Sequence, residues 1–104
     1  MKHTIPEATR ELFRAILTLR DEEECAAFFE DICTIKEIQD LSQRLQVATM
    51  LNRGEKYQRI EQETGASTAT ISRVNKCLTY GSGGYRTALK KAQNREKTQK
   101  EESV

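Results

Sequence analysis

The sequence holds 104 residues, of which 32% are charged and 6% aromatic, with no tryptophan. That length fits one domain, and a chain so small and polar makes only a thin core by itself, a shortage that a core shared with a second copy would relieve. The net charge of +1 hides an asymmetry: residues 1–52 carry six Lys/Arg against ten Asp/Glu, a net −4, while residues 53–104 carry eleven against six, a net +5, so a surface for nucleic acid belongs to the second half.

Three helix starts use a related device. Thr4-Ile5-Pro6-Glu7, Asp21-Glu22-Glu23-Glu24 and Thr34-Ile35-Lys36-Glu37 each place a capping oxygen three residues before a carboxylate. The first helix is expected over about Ile5 to Leu19, with Leu12, Phe13, Ile16 and Leu17 on its apolar side. The second is expected over about Glu22 to Cys33, with Cys25, Phe28, Phe29 and Ile32 facing inward. Both present acidic outer faces, which would repel a nucleic acid.

The third helix, about Ile35 to Asn52, is the longest expected. Ile38, Leu41, Leu45, Ala48 and Leu51 make one stripe, which Ile35, Val47 and Met50 widen. An arc that broad needs more than one neighbour. Packing on its own chain and on a partner subunit is the reading adopted; a central helix of a monomer is the alternative.

Gly54 ends that helix. Tyr57 to Leu78, YQRIEQETGASTATISRVNKCL, then reads as helix, turn, helix. Ile60 and Thr64 sit on the inner side of the first helix. Gly65 supplies a positive φ, Ala66 tucks under the turn and Ser67 caps the next helix. Ile71, Val74 and Leu78 give that helix one apolar stripe. Its other side carries Thr68, Ala69 and Ser72, then Arg73 and Lys76. Small side chains at the leading end allow close approach to base edges in the major groove, and cations behind them reach phosphates. The expected base contacts are therefore Ser67, Thr68, Ala69 and Ser72. The expected phosphate contacts are Arg53, Lys56, Tyr57, Gln58, Arg73 and Lys76. An ordinary α-hairpin with a solvated polar face is the competing reading.

Thr79-Tyr80-Gly81-Ser82-Gly83-Gly84 breaks the helix. A short last helix is expected from about Tyr85 to Ala92, with Tyr85, Ala88, Leu89 and Ala92 on one side. Residues 93–104 are polar and expected to fray as a basic tail.

Cys25, Cys33 and Cys77 are odd in number and scattered, and His3 stands alone, so neither a disulfide framework nor a metal site is expected. Buried free thiols in a cytoplasmic protein are the expectation. The start of the chain lacks the apolar run of a signal peptide, and no segment approaches membrane-spanning length. No nucleophile–base–orienter set is visible, so an enzyme is not expected.

From Leu41 to Leu78 the chain resembles the Trp repressor superfamily. Within it, GASTATISRVNKCLTYGSGGY is similar to the YerC/YecD group of Trp-repressor-like proteins, a likeness extending over residues 1–92. The resemblance implies an all-α fold of about six helices with a helix-turn-helix, intertwined with a second subunit as a homodimer. It also implies sequence-specific binding of double-stranded DNA in transcriptional control, here as a repressor. In the Trp repressor two arginines sandwich the indole of L-tryptophan; their counterparts here are Arg44 and Arg73. A glycine that makes room for the ligand is replaced by Val74, and a serine that holds its amino group by Cys77. Overpacking by an isopropyl group costs about 1–3 kcal/mol and a lost polar partner about as much again. L-tryptophan is therefore not the expected corepressor, and the effector, if one exists, is left open. For Arg44 the purely structural alternative is an ion pair with a nearby carboxylate such as Asp40, and for Arg73 it is a plain phosphate contact. A helical protein–protein interaction module without DNA binding is the rival function; it predicts affinity insensitive to salt, against the steep dependence of DNA binding.

Overall fold

The computed structural model describes residues 4–102. Among these, all regular structure is helical: α1 (Glu7–Ile16), α2 (Glu22–Ile32), α3 (Ile35–Asn52), α4 (Tyr57–Thr64), α5 (Thr68–Tyr80) and α6 (Gly84–Glu102). The all-α fold with a helix-turn-helix agrees with the sequence reading. His3 lies outside the described residues. Among the described residues no helix is long and apolar enough to cross a membrane.

The chain forms two compact units that meet within α3, one ending at Asp40 and the other starting at Leu41. In the first unit, α1 is shorter than expected at both ends. Pro6, not Thr4, occupies the N-cap, and no side chain caps the helix, so the proposed Thr4–Glu7 box does not form. Glu7 instead pairs with Arg14 at 2.9 Å. The other two starts behave as read. The Glu24 N–H donates to Asp21 Oδ1 at 2.8 Å. Thr34 and Glu37 cap reciprocally: the Glu37 N–H donates to Thr34 Oγ1 at 3.1 Å, and the Thr34 N–H donates to Glu37 Oε1 at 2.8 Å.

Phe28 and Phe29 are half-buried and meet edge to face, with ring centroids 5.5 Å apart. The inward placement of the other apolar residues holds only in part. Phe13, Leu17, Ile32 and Ile35 are exposed within the chain, Leu17 at 83%. Cys25 is exposed as well, as is Cys77 in the second unit, and Cys33 is only half-buried. The expectation of buried thiols is thus corrected: all three are free, and none is buried by its own chain. Periodicity marks an apolar face, but it does not say that the same chain covers it.

The second unit holds the core. Val47, Ala48 and Met50 of α3 pack with Ile60 of α4, Ala66 of the turn, and Ile71, Val74 and Leu78 of α5. Leu51, Tyr57, Tyr85 and Leu89 pack against this cluster. Within α3 the broad apolar arc divides: Val47 and Met50 face inward, while Leu41 and Leu45 stay about half exposed. Asp40 pairs with Lys36 at 3.3 Å, so the Arg44–Asp40 alternative is not realised.

The last helix runs ten residues beyond Ala92. Residues 85–102 contain neither glycine nor proline and are rich in Lys, Arg, Gln and Glu, which continue a helix without an apolar stripe. Every side chain from Lys90 to Lys100 is exposed.

Candidate nucleic-acid interface

The turn between α4 and α5 is built from backbone chemistry written in TGAS. Thr64 Oγ1 donates to the Ile60 carbonyl at 2.6 Å and accepts from the Ala66 N–H at 3.1 Å. Gly65 takes φ 72°, a left-handed conformation that side-chain-bearing residues adopt at a cost, and its N–H donates to the Glu61 carbonyl at 2.9 Å. Ala66 drops into the core with 4% exposed. Ser67 Oγ then accepts from the Thr70 N–H at 3.1 Å, capping α5. From α3, Gln43 Nε2 donates to the Thr64 carbonyl at 3.1 Å, which ties the end of α4 to the core helix. Together these bonds fix where α5 starts.

Burial along α5 then separates two faces. Ile71, Val74 and Leu78 are buried, and Ser67, Thr68, Ala69, Ser72, Arg73 and Lys76 are exposed. Helical spacing puts Thr68 beside Ser72, Ala69 beside Ser72 and Arg73, and Ser72 beside Lys76 on one outward strip. Three of the four expected base contacts, Thr68, Ala69 and Ser72, therefore share a surface with two of the expected cations, while Ser67 precedes the helix as its N-cap and also donates its hydroxyl to Thr70 Oγ1 at 3.0 Å.

Of the remaining expected phosphate contacts, Arg53, Lys56 and Gln58 are exposed, and Tyr57 is half-buried with its ring against the core. Lys56 is the N-cap of α4, and no side chain caps that helix. Among the described residues, no ion pair uses Arg53, Lys56, Arg73 or Lys76. The cation of α4 that is paired is Arg59, with Glu55 at 2.9 Å and Glu63 at 3.7 Å. Arg53, Lys56, Arg73 and Lys76 are thus exposed cations outside every ion pair among the described residues, and Arg73 and Lys76 stand on the same helix face as the short side chains of α5.

The four residues that stand at the counterpart of the family's effector pocket occupy different environments. Arg44, Arg73 and Cys77 are exposed, whereas Val74 is 2% exposed and belongs to the core cluster.

Three contacts here have little or no sequence signal. Gln43 reaches Thr64 across 21 positions, and nothing in its neighbourhood marks it. Arg86 Nε donates to the Leu78 carbonyl at 2.7 Å, satisfying the C-terminus of α5 from α6. Thr68 Oγ1 donates to Glu61 Oε1 at 2.7 Å, placing a carboxylate at the leading end of α5. Only the last was findable, since a short turn folds α5 back across α4.

Comparison with known proteins agrees with this architecture. A family model described as Trp repressor protein matches residues 7–93. The uncharacterized protein YerC of Bacillus subtilis (strain 168) is 58% identical over 86 residues, covering 83% of each chain. A crystal structure of a Staphylococcus aureus protein, assigned as a candidate Trp repressor, superposes with a TM-score of 0.83 at 55% identity, covering 86% of this chain and 89% of that one. A TrpR-like protein from Eubacterium eligens ATCC 27750 superposes with a TM-score of 0.82 at 51% identity, covering 85% and 91%.

Proposed function

The chain belongs to the Trp repressor protein family and is of the YerC type, and we propose that it is a cytoplasmic, homodimeric DNA-binding regulator that represses transcription by occupying a two-fold operator. The observation that carries this reading is the outward strip of α5, with short side chains at its leading end and unpaired Arg73 and Lys76 behind them. Ser67, Thr68, Ala69 and Ser72 meet base edges through methyl groups, hydroxyls and waters. Arg53, Lys56, Tyr57, Gln58, Arg73 and Lys76 meet phosphates. The chemistry is recognition, with no catalytic step.

What the chain leaves uncovered supports dimerisation. Phe13, Leu17, Ile32 and Ile35 in the first unit, and Leu41 and Leu45 in the second, are large apolar side chains exposed to solvent. A second copy is the occupant that a two-fold operator requires. Regulation by L-tryptophan is not part of this reading. Val74 fills the core where the family's ligand site has a glycine, and Cys77 stands in place of a polar partner for the ligand. The chain has no tryptophan, so the fluorescence of added L-tryptophan reports on its own binding; saturable micromolar binding contradicts this part of the reading.

The test is a salt titration of affinity for a random-sequence duplex. Each neutralised phosphate contributes about −0.9 to the slope of log affinity against log salt, so several contacts lower affinity by orders of magnitude from about 50 to about 200 mM. A flat dependence would favour a protein-docking module.

A further inference from the structure

Thr68 opens α5, and its hydroxyl donates to Glu61 Oε1 of α4 at 2.7 Å. Thr68 is exposed and Glu61 is half-buried. No ion pair among the described residues neutralises Glu61, since Arg59 pairs with Glu55 and Glu63 instead. A threonine hydroxyl has one hydrogen and two lone pairs. Once that hydrogen is committed to a carboxylate, in a charge-assisted bond, the hydroxyl oxygen meets any further group only as an acceptor. The ionised carboxylate is itself an acceptor alone.

We propose that Glu61 and Thr68 form an all-acceptor reading pair at the tip of α5, selecting a base that offers an exocyclic amino group. Cytosine N4 and adenine N6 are such donors in the major groove. Guanine offers only acceptors there, and thymine an acceptor and a methyl group. The inference rests on α5 entering the major groove, as proposed above. Thr68 touches the base, and Glu61 is a positioning residue that sets the polarity of the hydroxyl. A guanine or thymine there sets acceptors against acceptors, so the pair discriminates by rejecting wrong bases as well as by attracting right ones, while the negative charge of Glu61 opposes phosphates of every sequence alike.

The experiment is parallel selection from a random duplex library with the wild type, Glu61→Gln and Thr68→Val, with thermal melting as a fold control. In the wild type one position in each half-site favours cytosine or adenine on one strand by about ten-fold. Glu61→Gln no longer commits the hydroxyl hydrogen, because its amide can either accept from the hydroxyl or donate to it, so preference at that position falls to within about two-fold while other positions keep theirs. It also raises affinity for random duplex at low salt by removing a negative charge. Thr68→Val relaxes the same position alone. If the wild type selects a motif and Glu61→Gln selects it with every base preference intact, DNA recognition stands and the role of Glu61 is overturned. If the wild type selects no motif at any salt, the DNA-binding reading falls and this inference falls with it.

Discussion

The side-chain amide of Gln43 on α3 donates to the backbone carbonyl of Thr64 at 3.1 Å, one residue before the turn that aims α5. The carbonyl lies at the end of α4, where intrahelical donors have run out. Gln43→Ala leaves it without that partner and is expected to cost about 1 kcal/mol. Thermal melting at fixed protein concentration would register this as a drop of roughly 4–8 °C. Gln43→Glu sets an acceptor against an acceptor and lowers the midpoint further. Because the bond lies behind the turn, both variants should also weaken DNA binding without altering base preference.

Two glycines bound the reading helix, and they should respond differently to alanine. At Gly65 the φ of 72° disfavours a side chain, but a Cβ would meet no atom within 4 Å. Gly65→Ala is expected to cost about 1–2 kcal/mol, from conformation alone. At Gly81 φ is −80°, acceptable to any residue, but a Cβ would overlap the Cys77 carbonyl oxygen. Relieving that overlap moves backbone at the end of α5, so Gly81→Ala should cost about 1–3 kcal/mol and disturb the Arg86–Leu78 bond as well. Denaturant unfolding of both variants, with the Arg86 side-chain resonances followed for the second, checks the contrast.

Glu37 closes the cap of α3. The Thr34 N–H, and after it the Thr34 side chain, hold its carboxyl below the ordinary value of 4.5. A carboxyl depressed in the folded chain contributes stability above its unfolded value and loses that contribution as pH falls through the lower folded value. An NMR titration of the Glu37 carboxyl should therefore show a midpoint below 4.5. Thr34→Ala, which keeps the N–H and removes the hydroxyl, should raise that midpoint part of the way back. A midpoint unmoved by this change would deny the Thr34 side chain its part.

Lys76 is exposed and outside every ion pair among the described residues. If it meets a phosphate, Lys76→Ala weakens binding to all duplexes alike and reduces the salt slope by about 1. Fluorescence anisotropy on two unrelated duplexes across a salt series measures both effects. A changed ranking of sequences would move Lys76 to the base-reading group.

The second unit was nearly all legible in the chain. Ile60, Ile71, Val74 and Leu78 recur at helical spacings and find their partners within the same unit, so periodicity and burial coincide. The TGAS turn was readable because glycine, a small residue and a capping serine each meet a local backbone need. The first unit was less legible. Phe13, Leu17 and Ile32 keep helical spacing yet lie exposed, because a pattern marks what must be covered and not by what. Thr4 failed as a cap because Pro6, with extended ψ, already begins α1. The extension of α6 escaped because propensity, not an apolar stripe, carries it. Without tertiary packing such an extension is marginal, so amide exchange beyond Ala92 should be markedly faster than in the first two turns of α6.

The central claim is that two copies of α5 read a two-fold DNA site with no ligand required. Selection from a random duplex library at physiological salt, with purified protein and nothing added, tests it most directly. The account predicts an inverted repeat whose half-sites lie about one helical turn apart, roughly 34–36 Å centre to centre. Failure to retain any duplex, at physiological salt and again at low salt, would contradict it.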